Sequence, residues 1–307
     1  MSAVVIAALY KFTALPDAPA LRDRLEQLCL AHGIKGTLLI AEEGINGTVA
    51  GSAQAIAALH DMLLADPRFE GLEYKESQHQ DCPFLRLKVR LKQEIVTMGV
   101  AEVDPASRNG TYVDAATWNA LLDDPDTLVI DTRNDYEVAI GQFDNAISPD
   151  TKHFRDFPEY VQRHLDPAKQ PKIAMYCTGG IRCEKASHYL LKQGFSEVYH
   201  LKGGILQYLE DVPAEDNRWQ GECFVFDERV SVDKDLNQGE HRLCRACRQP
   251  VSAQDRLNPH YEEGVSCPHC YAQQSEANRA RARERIRQVR LAKARGEHHL
   301  GPREDHG

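Results

Sequence analysis

No run of eighteen or more apolar residues occurs in this sequence, and a bilayer-spanning helix needs about that many. The opening stretch, MSAVVIAALYKF, is apolar but short. It lacks both a basic leader and a small-residue cleavage site, so no signal peptide and no membrane partner are expected. Positive charge is also in deficit: 37 Lys and Arg against 46 Asp and Glu leave a formal net charge of −9. That balance excludes a nucleic-acid platform covering the whole surface and confines any RNA contact to a local basic patch. Neither a flavin or nicotinamide fingerprint nor a two-histidine, one-carboxylate iron set is found, so no organic cofactor is expected. Cysteine, by contrast, is not scarce. Nine are present, and in the reducing cytoplasm expected for this chain they do not read as a disulfide framework. Their uneven spacing points instead to specific chemistry.

At 307 residues the chain has room for two domains and a small third one. Five segments are expected: an α+β domain over 1–98, a linker over 99–111, an α/β domain over 112–215, a four-cysteine module over 216–275 and a basic tail over 276–307. In the first, Val4–Tyr10 reads as a buried strand. Ala18–His32 carries Leu21, Leu25 and Leu28 at helical spacing before Gly33. Lys35–Ala41 and Thr48–Ala50 read as strands around Glu42–Gly47, with Asn46-Gly47 as the tight-turn signal. A helix over Ala53–Ala65 and a strand over Phe84–Leu91 complete a split βαβ order of ferredoxin-like, or acylphosphatase-like, type. In the second domain, Thr127–Asp131 and Lys172–Tyr176 are continuous apolar strands, as in a parallel sheet covered on both faces. Cys183–Gln193 reads as a helix, Glu197–Leu201 as a strand, and the domain is expected to end near Pro213. Beyond it, Phe224–Val230 reads as strand-like.

The chemistry concentrates at Cys177-Thr178-Gly179-Gly180-Ile181-Arg182. Cys177 ends a strand, and a helix follows within a few residues. Ligand chemistry gathers at the carboxyl ends of strands in such sheets. Two glycines let successive N–H groups turn toward one anionic centre. The helix N-terminus and the Arg182 guanidinium both favour thiolate, and such surroundings lower a cysteine pKa from about 8.5 by one or more units. The alternative, a buried strand-end cysteine in the core, sits poorly beside the diglycine and the arginine. Cys183 has two open readings, a resolving thiol for an oxidised Cys177 or a hydrogen-bonding residue at the helix start.

Cys244-x2-Cys247 and Cys267-x2-Cys270 have the spacing of a structural zinc ribbon, with four thiolates around one ion. Redox-active pairs remain the alternative, and His241, His260 and His269 lie near enough to replace a ligand. Arg279, Arg281, Arg283, Arg285, Arg287, Arg290, Lys293 and Arg295 make the one dense basic segment. It favours helix without a clean apolar face, and on an acidic chain it is the expected contact to a phosphate backbone. Residues 298–307 are expected to be disordered. Cys29 is assigned to the core of the first helix, while Cys82 and Cys223 have no partner at an informative spacing.

The C-x4-R loop resembles that of the rhodanese family, where it holds a persulfide. Cysteine phosphatases use a loop one residue longer, which disfavours phosphate chemistry. Asp131-Thr132-Arg133, followed by Glu137, resembles the family's Asp-x-Arg and reads as a structural ion pair. Lys202-Gly203-Gly204 resembles its late Gly-Gly turn, whereas Gly141-Gln142-Phe143 departs from the common Gly-His-Ile and weakens the case for thiosulfate sulfur transfer. Three longer strings are more specific: Glu43–Thr48 (EGINGT), Met175–Ser187 (MYCTGGIRCEKAS) and Phe224–Arg229 (FVFDER). Together they resemble the bacterial oxygen-dependent tRNA uridine hydroxylases (TrhO) over nearly the whole chain. The resemblance implies hydroxylation of the wobble uridine of tRNA to 5-hydroxyuridine, with molecular oxygen as co-substrate and Cys177 as the active-site cysteine. Arg182 belongs to the same loop. Either thiolate addition across the uracil C5–C6 bond or an oxidised sulfur species would serve such a reaction. The runner-up is a sulfurtransferase working through a Cys177 persulfide.

Overall fold

The computed structural model describes residues 3–101, 103–107, 109–170 and 172–295. The chain divides into two compact units, one of residues up to 228 with 232–237, the other of 229–231 with 238 onward. The expected disorder of 298–307 concerns residues outside those described.

The first unit begins with β1 (Val4–Phe12), α1 (Ala18–Ala31), β2 (Lys35–Ala41), β3 (Gly44–Gly51), α2 (Ala53–Leu64), β4 (Glu73–His79) and β5 (Leu87–Leu91). The sheet order is β4-β1-β3-β2-β5. Its first four strands are the antiparallel ferredoxin-like set, and β5 joins the edge parallel to β2. Alternation along β1 sends Val5, Ala7 and Leu9 into one core with Leu21, Leu25 and Cys29 of α1 and Ile56, Leu59 and Leu63 of α2. The intervening residues, Ala8 and Tyr10 among them, face away from both helices. Tyr10 stands opposite Asn46 on β3 and Glu73 on β4, so these three polar side chains share the helix-free face.

Two expectations for this domain need correction. Asn46-Gly47 does not make the turn: the chain reverses at Glu42-Glu43, with Ala41 paired to Gly44, and Asn46-Gly47 lies inside β3. The glycine serves close strand approach instead, since a Cβ on Gly47 would lie 2.2 Å from the Thr37 carbonyl oxygen. The fourth ferredoxin strand is Glu73–His79, whose polar edge sequence hides its strand character. The stretch expected to fill that place forms only the shorter β5.

The second half of this unit contains β6 (Thr111–Val113), α3 (Ala115–Asp123), β7 (Leu128–Asp131), α4 (Asp135–Val138), β8 (Gly141–Phe143), α5 (Phe157–His164), β9 (Lys172–Tyr176), α6 (Ile181–Lys192), β10 (Glu197–Leu201), α7 (Gly204–Asp211) and β11 (Trp219–Gly221). Strands β6-β10-β9-β7 form an all-parallel sheet. One face buries Trp118, Tyr176, Ile205, Tyr208 and Phe143; the other buries Ile130, Met175, Tyr189, Leu190 and Val198. This two-sided burial is why β7 and β9 read as unbroken apolar runs. Met98 and Val103 join the second of these cores, so the stretch around the expected 99–111 linker is anchored. Trp219, Cys223 and Val225 join the first, which places 216–228 with the parallel-sheet domain instead of the cysteine module. Of the expected Phe224–Val230 strand only Phe224 lies in a ladder, within the two-residue strand Cys223–Phe224, and Phe226 is exposed beyond it.

The second unit holds the four cysteines, a short helix α8 (Ala253–Arg256) and the long helix α9 (Glu276–Ala294). Within it α9 crosses Gly264 closely: a Cβ there would lie 2.4 Å from Cδ1 of Ile286.

Candidate active site

Cys177 leaves the end of β9, and α6 starts four residues later, at Ile181, two residues earlier than the helix read from sequence. Gly180 caps α6 with φ +97°, a conformation that disfavours any side chain. The cap turns the Gly180 N–H onto the Cys177 sulfur at 3.1 Å. The loop carbonyls point elsewhere. Those of Cys177 and Thr178 accept from the N–H groups of Ile205 (2.9 Å) and Leu206 (3.1 Å) at the start of α7. That docking depends on Gly204, where a Cβ would sit 2.4 Å from the Cys177 carbonyl oxygen. With its acceptors satisfied on one side, the loop shows donors to the sulfur on the other.

Burial pushes the Cys177 thiol up, but the Cys183 thiol, the Arg182 guanidinium and the Cys183 and Arg182 N–H groups outweigh it, bringing the pKa down to about 6. Cys183 goes the other way: burial and the adjacent Cys177 sulfur hold it well above the ordinary thiol value. The pair is therefore one thiolate beside one thiol donor. Cys183 also lies 3.7 Å from Thr132 Oγ1. Both cysteines are fully buried, so this is a closed site.

Arg182 does not stand alone against the sulfur. Its guanidinium forks onto the Glu137 carboxylate at 2.7 and 2.8 Å, and Thr178 Oγ1 donates to the same carboxylate at 3.3 Å. Burial pushes Glu137 up, yet Arg182 and Arg133 bring it below the usual carboxylate range. The Phe226 ring lies 5.9 Å from the Arg182 guanidinium carbon, which ties the Phe224–Arg229 string to the loop. Asp131 and Arg133 form the expected ion pair at 2.6 Å, fully buried, with the guanidinium also holding the Gly141 carbonyl at 2.6 Å. Arg133 also donates to the Glu137 carbonyl at 3.2 Å, but the Glu137 carboxylate takes a different partner, and nothing in the spacing of the sequence pointed to Arg182.

Sequence reasoning also missed how the helix-free face of the first sheet meets this loop. Lys185, buried on α6, is gripped by Glu43 at 2.8 Å and Glu94 at 2.6 Å. Glu43 in turn accepts the Ile95 N–H at 2.6 Å, and Asn46 Nδ2 donates to the Ile95 carbonyl at 2.9 Å. Lys75 of β4 reaches the Leu206 carbonyl (2.8 Å) and Glu210 (2.7 Å). Glu184 accepts from Tyr10 (3.1 Å), Tyr112 (2.8 Å) and Asn109 (2.6 Å). The available signal was the polar residue at an outward position of β1 and the unlike charges in EGINGT and CEK.

In the second unit, Cys244, Cys247, Cys267 and Cys270 converge, with all four sulfurs within 4.8 Å of one another. The contacts of 3.9 Å (Cys244–Cys270), 3.7 Å (Cys247–Cys267) and 3.7 Å (Cys267–Cys270) match the edge of about 3.8 Å that a tetrahedron with Zn–S bonds of about 2.3 Å requires. Gln274 Nε2 and the Cys267 N–H donate to Cys270, as outer partners of thiolate ligands do. His269 pairs with Asp255 and His260 stacks on Tyr271, so neither histidine is needed as a ligand. The donor set suits zinc. Elemental analysis of purified protein is expected to give one zinc per chain, and Cys247→Ser with Cys270→Ser to lose it and the cooperative unfolding of this unit. A zinc-free chain with that unit intact contradicts the assignment.

The two sheets and the C-x4-R loop define a rhodanese-domain protein carrying an acylphosphatase-like partner domain. The UPF0176 acylphosphatase like domain matches residues 4–95, and the rhodanese-like domain matches residues 114–211. A tRNA uridine(34) hydroxylase of Sinorhizobium fredii is 60% identical over 297 residues, covering 97% of this chain and 95% of that protein. One from Agrobacterium fabrum is 58% identical over 297 residues, with the same coverage. A rhodanese-like domain from Anabaena, solved by NMR, is 21% identical with a TM-score of 0.30, over 36% of this chain and 78% of that one. The chain belongs to the tRNA uridine(34) hydroxylase family.

Proposed function

We propose that this protein hydroxylates uridine 34 of tRNA to 5-hydroxyuridine, consuming molecular oxygen, in the cytoplasm where tRNA resides. The observation that carries the reading is the Cys177 cradle, in a chain 60% identical to a named hydroxylase over 97% of its length. Cys177, ionised at neutral pH, adds to C6 of uracil and raises electron density at C5, where oxygen is placed. Arg182, held by Glu137, positions the loop and favours the thiolate. The overall balance is uridine, dioxygen, two electrons and two protons giving 5-hydroxyuridine and water, with the electrons supplied by an external reductant. No helix among the described residues is long and apolar enough to cross a membrane. Nucleoside mass spectrometry of tRNA incubated with the protein separates this reaction from sulfur transfer. A hydroxylated uridine at position 34 supports it, and a thiolated one supports the persulfide alternative.

Helix α9 supplies the tRNA contact in this reading. Several of its arginines are matched within the unit: Arg279 and Arg283 by Glu276, Arg283 by Glu262, Arg287 by Glu284 and Arg290 by Glu263. Arg281 bonds Asn278 and Arg285 the Gly264 carbonyl, which leaves two guanidinium charges without a carboxylate among the described residues. Replacing Arg281 and Arg285 together by alanine is expected to weaken tRNA binding and flatten its log–log salt slope by about two. An unchanged slope by filter binding contradicts the assignment.

A further inference from the structure

Glu184 is the one buried carboxylate beside the loop whose described partners are all neutral. It sits in the first turn of α6, next to residues that hold Cys177, and is 4% exposed. Its oxygens accept from Tyr10 Oη of the first sheet, Tyr112 Oη of β6 and Asn109 Nδ2. Among the described residues no cation pairs with it; Lys185, its neighbour, is committed to Glu43 and Glu94. The Asn109 Oδ1 atom is buried with no hydrogen-bond partner, so the cluster has an acceptor to spare. Tyr10 also touches the catalytic loop. A Cβ on Gly180 would lie 3.0 Å from its hydroxyl, so Tyr10 packs against the residue whose N–H donates to the Cys177 sulfur.

We propose that Tyr10 and Glu184 form the proton relay for C5 of the uracil, an inference that rests on the thiolate-addition reading above. When the Cys177 sulfur adds to C6 in the absence of oxygen, the C5–C6 electron pair takes the Tyr10 hydroxyl proton at C5 and the protonated Glu184 carboxyl returns its proton to Tyr10, so the cycle starts from thiolate Cys177 and protonated Glu184. When the adduct collapses, the C5–H bond breaks. Its proton passes to the Tyr10 oxygen as the Tyr10 hydroxyl proton passes to Glu184. The electron pair restores C5=C6, and the C6–S bond releases the Cys177 thiolate. No oxidant enters this step, so it occurs with hydrogen alone at C5 as well as after hydroxylation.

The electrostatics suit the role. Burial is the main cause that raises Glu184, opposed by the Tyr112 and Tyr10 hydroxyls and reinforced by Glu73 and Cys177, to about 7. Such a carboxyl is present in both forms near neutral pH, as an acid–base group requires. Tyr10 itself is pushed far above the ordinary phenol value by burial, Glu184, Glu73 and Cys177, so it relays a proton without ionising. His200, whose ring lies tilted against Tyr112, is lowered to about 4 by burial and stays neutral, so it adds no charge to the cluster.

The test is release of tritium from tRNA made with [5-³H]uridine, under argon, with full-length protein. Wild type is expected to release label from position 34, and Cys177→Ala to release none. Glu184→Gln, which keeps the hydrogen-bonding shape, should slow release on the order of a hundredfold, Glu184→Asp should restore part of it, and Tyr10→Phe should slow it about tenfold. Wild-type release peaks near pH 7, while residual release in Glu184→Gln only rises through the Cys177 titration and then levels. Retention of the Cys177 thiolate absorbance in Glu184→Gln shows that the loop is intact. Release by Glu184→Gln at the wild-type rate, or with the wild-type fall above pH 7, overturns the relay. Failure of wild type to release label overturns both relay and adduct, whereas 5-hydroxyuridine formation in air reports on the proposed function separately.

Discussion

Cys177→Ala is expected to abolish formation of 5-hydroxyuridine and to leave the protein folded. The sulfur is fully buried and accepts the Gly180 N–H, and its loss removes one heavy atom from a site whose loop is fixed independently through the α7 donors. The cost in stability is expected to be about 1 kcal/mol, small beside the loss of the reacting atom. Cys177→Ser keeps the shape but not the chemistry, because a hydroxyl does not ionise in this range. Its activity is expected to fall at least about a thousandfold, since the nucleophile is removed and not merely weakened. Nucleoside mass spectrometry with circular dichroism as the folding control reads both results. Activity within tenfold of wild type in either variant places the chemistry elsewhere.

Glu137→Gln is expected to destabilise the rhodanese domain by about 3–5 kcal/mol, because it leaves the Arg182 charge buried without its partner. Arg182 and Glu137 are both almost wholly inaccessible, so water cannot take the carboxylate's place. The same variant carries a second signature of opposite sign. With the carboxylate neutralised, Arg182 acts on Cys177 unopposed, and the thiolate pKa moves below about 6. Urea unfolding and ultraviolet titration of thiolate absorbance read the two effects. A stability change under 1 kcal/mol, or a thiolate pKa that rises, contradicts the role given to the pair.

The Cys177 loop was legible in the sequence because its chemistry is local. Cys177, two glycines and Arg182 lie within six residues, and the apolar strand before them follows from two-sided burial of a parallel sheet. The four-cysteine cluster was legible for the same reason, its two Cys-x2-Cys pairs each placing two sulfurs close together. What escaped was assembled from distant segments. Tyr10, Asn109 and Tyr112 reach Glu184 across as many as 174 residues. Glu137 looked like a companion of Asp131 and Arg133, yet it answers a charge 45 positions later. Asn46-Gly47 carried a turn signal that the central strand overrides, since that strand needs glycine for its close approach to β2. Strand β4 was hidden because an edge strand with one solvated face shows little apolar alternation. The EGINGT, CTGGIRCEK and FVFDER strings resembled a family before their logic was visible. The structure supplies it: Glu43 holds Lys185, Phe226 covers Arg182, and Glu184 joins the two domains beside Cys177.

The central claim, oxygen-dependent hydroxylation at Cys177, is tested most directly by supplying ¹⁸O₂ gas to purified protein with tRNA and a reductant. The account predicts 5-hydroxyuridine at position 34 carrying one atom of the heavy isotope with wild type and none with Cys177→Ala. Product whose new oxygen comes from water, or product formed equally under argon, would contradict it.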